Sequence, residues 1–201
     1  MLVREAMTSP VVTVSPDATV RQAIRVLYEH NITAAPVVDD SGAMVGIVSE
    51  MDLLRGEFAA DPRAFARPVA GPHEPPPRLV RDVMITDVRT AQPTTDVAEL
   101  AEMMMRTAIK SVPVLDGDTL VGMVSRRDLM AVLARGDARI RDDVLSALAE
   151  LMPGGHDWTA EVTDGVVRLS GPAGDENARH IAETIARTVP GVTRVLLEEP
   201  A

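Results

Sequence analysis

The chain has 201 residues, 46% of them hydrophobic and 25% charged, with a formal net charge of −10 and no cysteine. The missing cysteines exclude a disulfide scaffold, a thiolate zinc site, a cysteine nucleophile and an iron–sulfur cluster. Residues 1–137 hold 14 basic and 19 acidic side chains and residues 138–201 hold 6 and 11, so neither part offers the basic surface that DNA or an anionic membrane needs.

The chain opens Met-Leu-Val-Arg-Glu-Ala-Met, and that opening recurs: residues 2–39 align with 79–116 at an offset of 77, with 12 identities in 38 positions. After a one-residue deletion, Val45–Leu53 matches Val121–Leu129 with 6 identities in 9. A period this long indicates a duplicated small domain rather than a solenoid. In each copy a first strand is expected near Val11–Val14. Ser15-Pro16 resembles a helix N-cap followed by proline at the first helical position. Val20, Ala23, Ile24, Leu27 and Tyr28 then fall at helical spacing, as do Val97, Leu100, Ala101, Met104 and Met105. A short strand at Pro36–Asp39 or Pro113–Asp116 follows, then a Gly/Asp turn, a second strand ending at Val48 or Val124, and a second helix from Ser49 or Ser125.

Between the copies, Gly56–Arg78 holds six prolines in 23 residues. It reads as an irregular linker with a helical turn near Ala59–Ala66. Beyond the second copy, Asp137–Leu151 has a helical stripe of Ile140, Val144, Leu145, Leu148 and Leu151. Trp158–Val162 and Val166–Leu169 flank the hairpin turn Asp164-Gly165. Glu176–Val189 is a helix with Ile181, Ile185 and Val189 on its apolar face, and Val192–Leu197 is a last strand.

The duplicated Gly-x-Val-Ser-x-x-Asp carries the chemistry. Ser and Asp three residues apart where a strand meets a helix form a capping box. The same helix start suits a phosphate, the Ser hydroxyl a phosphate or ribose oxygen, and the Asp carboxylate two ribose hydroxyls. Glycine there lets backbone approach a ligand. Capping and binding are compatible.

Two copies of these motifs in order resemble a tandem pair of cystathionine-β-synthase (CBS) domains, a Bateman module. The resemblance implies an α/β (α+β) fold, with two β-α-β-β-α units packed as a pseudo-twofold module. It implies adenosine-containing ligands in the clefts and pairing into a disc-like homodimer. On it, Asp52 and Asp128 would hold ribose hydroxyls, and Ser49 and Ser125 would touch ribose or phosphate. Thr13 and Thr90 would line the adenine pockets, with Ile32, Ala35 and Pro36 in one copy and Val112 and Pro113 in the other. The copies differ: Lys110, Arg126 and Arg127 in the second stand where the first has Thr33, Glu50 and Met51. The second site is therefore expected to prefer a phosphorylated ligand, unless the two arginines are simply solvated on the first helical turn.

The segment Val162–Gly171 resembles the core of a BON domain, which implies a small α-β-β-α-β unit closed by Ala182 and Pro190-Gly191-Val192. Four units follow: 1–56 and 79–137 as CBS domains, 57–78 as linker and 138–201 as the BON-like domain. His30, His73, His156 and His180 have no metal-ligand spacing, and no nucleophile motif or Walker loop is present. Met103–Met105 reads as helix packing or a dimer seam. No run reaches 18 apolar residues and the N-terminus lacks the apolar core of a secretory signal, so a cytoplasmic protein is expected.

The expected function is a non-catalytic regulator. It would bind AMP, ADP, ATP or S-adenosylmethionine as regulatory ligand, require no cofactor, and signal through the CBS pair or dimer to the tail or an unidentified protein partner. The alternative is an assembly scaffold whose nucleotide clefts are vestigial and whose Ser/Asp pairs only cap helices.

Overall fold

The structure, a computed structural model, describes residues 1–55, 57–58, 63, 78–152, 154–172 and 176–198. The turn expected near 59–66 and the linker's course thus lie, Arg63 apart, outside the described residues. The fold is α+β. Residues 8–93 with 111–123 form one compact unit, and residues 1–7 with 94–110 and 124–201 form the other.

The first copy contributes α1 (Val20–Glu29), β1 (Ala34–Val38), β2 (Met44–Ser49) and α2 (Glu50–Leu53). β1 and β2 pair antiparallel from Ala34↔Ser49 to Val38↔Met44, with a register shift between Val37 and Val38. Val20, Ala23 and Leu27 of α1 are buried with Val37, Val48 and Leu53. This is the apolar stripe of an amphipathic helix laid on a small sheet. Tyr28, expected on that stripe, is instead 86% exposed.

The expected first strand reduces to one residue. Val14 makes a single parallel bridge to Val37, as Ala91 does to Val114. Val14 donates to Pro36 O and accepts from Val38 N. Pro16 follows two residues later, lacks an N–H and turns the chain, so no ladder extends. Ser15 does not cap the helix either. Its hydroxyl accepts from Asp17 N at 3.2 Å, and its carbonyl accepts from Ala18 N. The N-cap is Thr19, whose Oγ1 accepts from Gln22 N while Thr19 N donates to Gln22 Oε1 at 2.8 Å. Thr-x-x-Gln is thus a complete capping box.

The second copy contributes α3 (Val97–Thr107), β3 (Ser111–Asp116), β4 (Thr119–Ser125) and α4 (Arg126–Leu133), and β3 and β4 form a two-stranded sheet. The Leu-Val-Arg openings of the two copies are exchanged. Val20 N donates to Arg78 O and Val80 N to Ala18 O; Val97 N donates to Met1 O and Val3 N to Thr95 O. Each opening so meets helix-start N–H groups of the other copy, which have no intrahelical acceptor. Ile47 and Ile85 exchange two backbone hydrogen bonds, as do Thr8 and Met123. Val3 and Val80 are fully buried.

The tail folds as α5 (Asp137–Leu151), β5 (Thr159–Thr163), β6 (Val166–Ser170), α6 (Glu176–Thr188) and β7 (Arg194–Leu197). β5 and β6 form an antiparallel hairpin around Asp164-Gly165, and β7 joins parallel to β6 after the α6 crossover. The two oxygens of the Asp137 carboxylate accept from Asp164 N at 2.9 Å and Gly165 N at 3.0 Å, which ties the hairpin to the start of α5. Ile140, Val144 and Leu148 of α5 bury with Trp158, Val167 and Leu169. Leu151, expected on this stripe, is 64% exposed, and Ile181 of α6 is exposed as well. Ala182 and Ala186 face the core instead. Small side chains there let α6 approach closely, so the buried stripe lies one residue from the bulkier Ile181.

Candidate ligand site

β2 runs into α2, and β4 into α4, without a connecting loop. Gly46 lies just ahead of the first junction. A Cβ there would lie 2.8 Å from Ile85 O, so this glycine makes room for the exchanged segment rather than for a ligand.

Ser49 is the N-cap of α2 and is half-buried. Its N–H donates to Asp52 Oδ2 at 2.9 Å and its hydroxyl donates to the same oxygen at 2.5 Å. In the second copy Ser125 N donates to Asp128 Oδ2 at 2.7 Å and Ser125 Oγ donates at 2.6 Å. The Ser125 hydroxyl also accepts from Asp128 N at 3.3 Å. Both capping bonds fall on one carboxylate oxygen, Oδ2, in each copy. The junctions are anchored alike: Glu50 N donates to Thr33 O at 3.0 Å and Arg126 N to Lys110 O at 2.9 Å.

In the first copy, Ala35 and Pro36 are buried on β1 and Ile32 packs against that core. Register places Ala34 opposite Ser49 and Ala35 opposite Val48. Thr13 is exposed and adjoins Val14, which bridges to β1. The sheet carries Ala35, Pro36 and Ser49, Thr13 adjoins its neighbouring bridge, and Asp52 stands on α2 directly after β2. In the second copy, Val112 and Pro113 are buried on β3, and Thr90 is exposed next to the Ala91 bridge. Ser125, Asp128, Arg126, Arg127 and Lys110 cluster by the start of α4.

The three cations differ in their engagement. Arg126 donates from Nε to Ile109 O at 3.1 Å and from Nη2 to Met104 O at 3.2 Å. Sequence reasoning did not find these bonds, because their acceptors are backbone atoms 17 and 22 residues away. Arg127 and Lys110 are exposed, and among the described residues their side chains make no hydrogen bond or ion pair. The described residues contain no cluster of three His, Asp or Glu able to hold a metal. A separate open cleft of about 400 Å³ lies between α1 and the segment after α2, lined among others by Arg21, Ile24, Tyr28, Leu54 and Phe58. It includes none of the expected site residues. Sequence reasoning missed it because it took Tyr28 as core.

The CBS-domain family profile matches residues 3–58 and 80–135, and the BON-domain profile matches residues 136–197. The chain belongs to the CBS-domain family, with a BON domain behind its CBS pair. An uncharacterised protein of Methanocaldococcus jannaschii is 33% identical over 135 residues, 66% of this chain and 32% of that protein. The CBS domain-containing protein YhcV of Bacillus subtilis is 29% identical over 127 residues, 63% of this chain and 81% of YhcV. The chain thus spans about a third of the first relative and most of the second. Among solved structures, the CBS domain pair of protein MJ0100 in complex with 5′-methylthioadenosine and S-adenosyl-L-methionine matches with a TM-score of 0.53 and 26% identity, over 66% of this chain and 94% of that one.

Proposed function

We propose that this protein is a non-catalytic regulator that binds an adenosine-containing ligand, AMP, ADP, ATP or S-adenosylmethionine, at its CBS copies. The observation that carries this reading is the same Ser/Asp helix start built twice, once at each strand-to-helix junction. The likeness to a CBS pair solved with two adenosine compounds supports it. In the first copy Asp52 takes the ribose hydroxyls, Ser49 the ribose or phosphate, and Thr13, Ile32, Ala35 and Pro36 the adenine side. In the second, Asp128 and Ser125 take the same roles. The exposed cations Lys110 and Arg127 favour a phosphorylated ligand there.

Occupancy is relayed by rearrangement of the CBS pair, or of a homodimer, to the BON domain or a protein partner. Such a relay moves only as far as the ligand's differential affinity for the two arrangements allows. A dimer seam is supported by exposed apolar side chains at matching positions of the two copies: Tyr28 and Met105, Leu54 and Met130. The test is hydrogen exchange on the full chain with and without AMP. Protection that changes in the tail as well as in Ser49–Asp52 or Ser125–Asp128 supports the relay. Binding that alters neither hydrogen exchange nor oligomeric state refutes it.

One observation favours the scaffold alternative: Oδ2 of each aspartate is already held by its serine. In that case the clefts are vestigial and the BON domain assembles partners. Ligand binding by the intact chain separates the two readings.

A further inference from the structure

Arg126 is the first residue of α4, where the helix dipole disfavours a cation. The residue is exposed, yet its guanidinium is engaged by the protein. It reaches back to two carbonyls, Met104 O in the last turn of α3 at 3.2 Å and Ile109 O just beyond the helix at 3.1 Å. Those acceptors straddle Ala108, which has φ = +59° and ends α3 in the left-handed region. A Cβ makes that region unfavourable, so an alanine there must be held. The first copy makes the same turn at Asn31, φ = +52°. Asparagine tolerates it, and the residue matching Arg126 is Glu50, an acid suited to a helix start. Only the copy with alanine in the turn has an arginine across it. The chain that leaves the turn runs to Lys110, whose carbonyl accepts from Arg126 N at 2.9 Å. One residue therefore fixes the turn by its side chain and the helix start by its backbone.

We infer that Arg126 is a positioning residue of the second copy: it clasps the left-handed Ala108 turn and so sets Lys110, Ser125 and Asp128. The cations left to meet a phosphate are Arg127 and Lys110. This rests on the proposed nucleotide reading for its functional consequence, while the clasp itself is a property of the fold. It departs from the expectation that both arginines contact phosphate.

The experiment uses the full chain and compares AMP with adenosine by titration calorimetry, with Asp52→Ala as background so that only the second copy is read. Arg126→Ala should weaken both ligands by the same factor, about five- to tenfold, as expected for a lost pair of charge-assisted bonds acting indirectly. Ala108→Gly, which removes the strain, should restore most of that loss; Ala108→Asn, copying Asn31, should do likewise. Arg127→Ala should weaken AMP and leave adenosine unchanged. An Arg126→Ala loss confined to AMP and not rescued at position 108 would make Arg126 a phosphate ligand and overturn the inference. No loss for either ligand would overturn it too.

The thermal midpoints of the same proteins without ligand test the clasp separately. Arg126→Ala should cost less in the Ala108→Gly background than in the parent. Additive shifts contradict the clasp whether or not nucleotide binds. If the parent binds neither AMP nor adenosine, the nucleotide reading fails while the midpoints still decide the clasp.

Discussion

Replacing Asp128 by alanine separates capping from binding. The carboxylate accepts from Ser125 N at 2.7 Å and Ser125 Oγ at 2.6 Å, and both donors are half-buried. Ser125 remains the N-cap, because its hydroxyl still accepts from the backbone N–H of residue 128. Loss of the reciprocal half of the capping box costs up to about 1 kcal/mol. Leaving a half-buried N–H without its acceptor adds up to about 1 kcal/mol. The expected destabilisation is therefore up to about 2 kcal/mol. For a chain of this length that lowers Tm by up to about 8 °C, read by calorimetry or by Trp158 fluorescence. Ribose hydroxyls on a carboxylate are charge-assisted bonds, each contributing about 1.5–3 kcal/mol. Removal of Asp128 should weaken AMP at the second copy by at least about tenfold. Asp52→Ala should show the same stability loss, and a weaker effect on phosphorylated ligands, because Thr33 and Met51 stand where the second copy has Lys110 and Arg127. A lower Tm with AMP affinity unchanged in both variants would refute the ribose assignment and leave the aspartates as caps.

Further consequences lie outside the site. Gly171 carries no side chain because a Cβ there would come within 2.5 Å of the Trp158 ring. Gly171→Ala should cost about 1–3 kcal/mol by overpacking, with an altered Trp158 emission spectrum as the readout. Asp137→Ala removes the carboxylate that accepts from both hairpin N–H groups and should raise hydrogen exchange at Asp164 and Gly165 well above the parent rate. Asp39 is held below the usual carboxylate range, first by the Ser41 hydroxyl and then by Ala43 N–H. Its contribution to stability is complete above about pH 4 and is lost as pH falls through the lowered folded value. Asp39→Ala should therefore narrow the Tm difference between neutral and strongly acidic buffer. Tyr28→Glu with Met105→Glu should dissociate a homodimer in sedimentation velocity while leaving AMP binding intact.

The repeat made most of the fold legible before any coordinates. A constant offset of 77 identified the duplicated unit, and the helix at Asp137–Leu151 was readable from its apolar spacing. What escaped reading had local physical causes. Ser15-Pro16 looked like a cap, but the true cap is Thr19 with Gln22, a Thr-x-x-Gln box visible in the sequence three residues later. The first strand failed because prolines deny it a ladder. The exchange of the Leu-Val-Arg openings was not legible, since the identity of two segments does not say which copy each one packs on. Ile181 misled because hydrophobicity alone favours isoleucine over the alanines that permit close helix packing. At the site, the Ser/Asp pairs were readable from spacing, whereas the engagement of Arg126 depended on backbone carbonyls and a left-handed turn that no motif records.

The central claim is that the folded chain binds adenosine compounds, and ligand-induced stabilisation tests it most directly. Purified protein is heated with AMP, ADP, ATP, S-adenosylmethionine and, as control, GMP. A ligand that binds only the folded state contributes about 2.7 kcal/mol at a concentration of 100 Kd. The account predicts a saturable rise in Tm with at least one adenosine compound, none with GMP, and loss of the rise in the Asp52→Ala, Asp128→Ala double variant. No rise with any adenosine compound at millimolar concentration would contradict it.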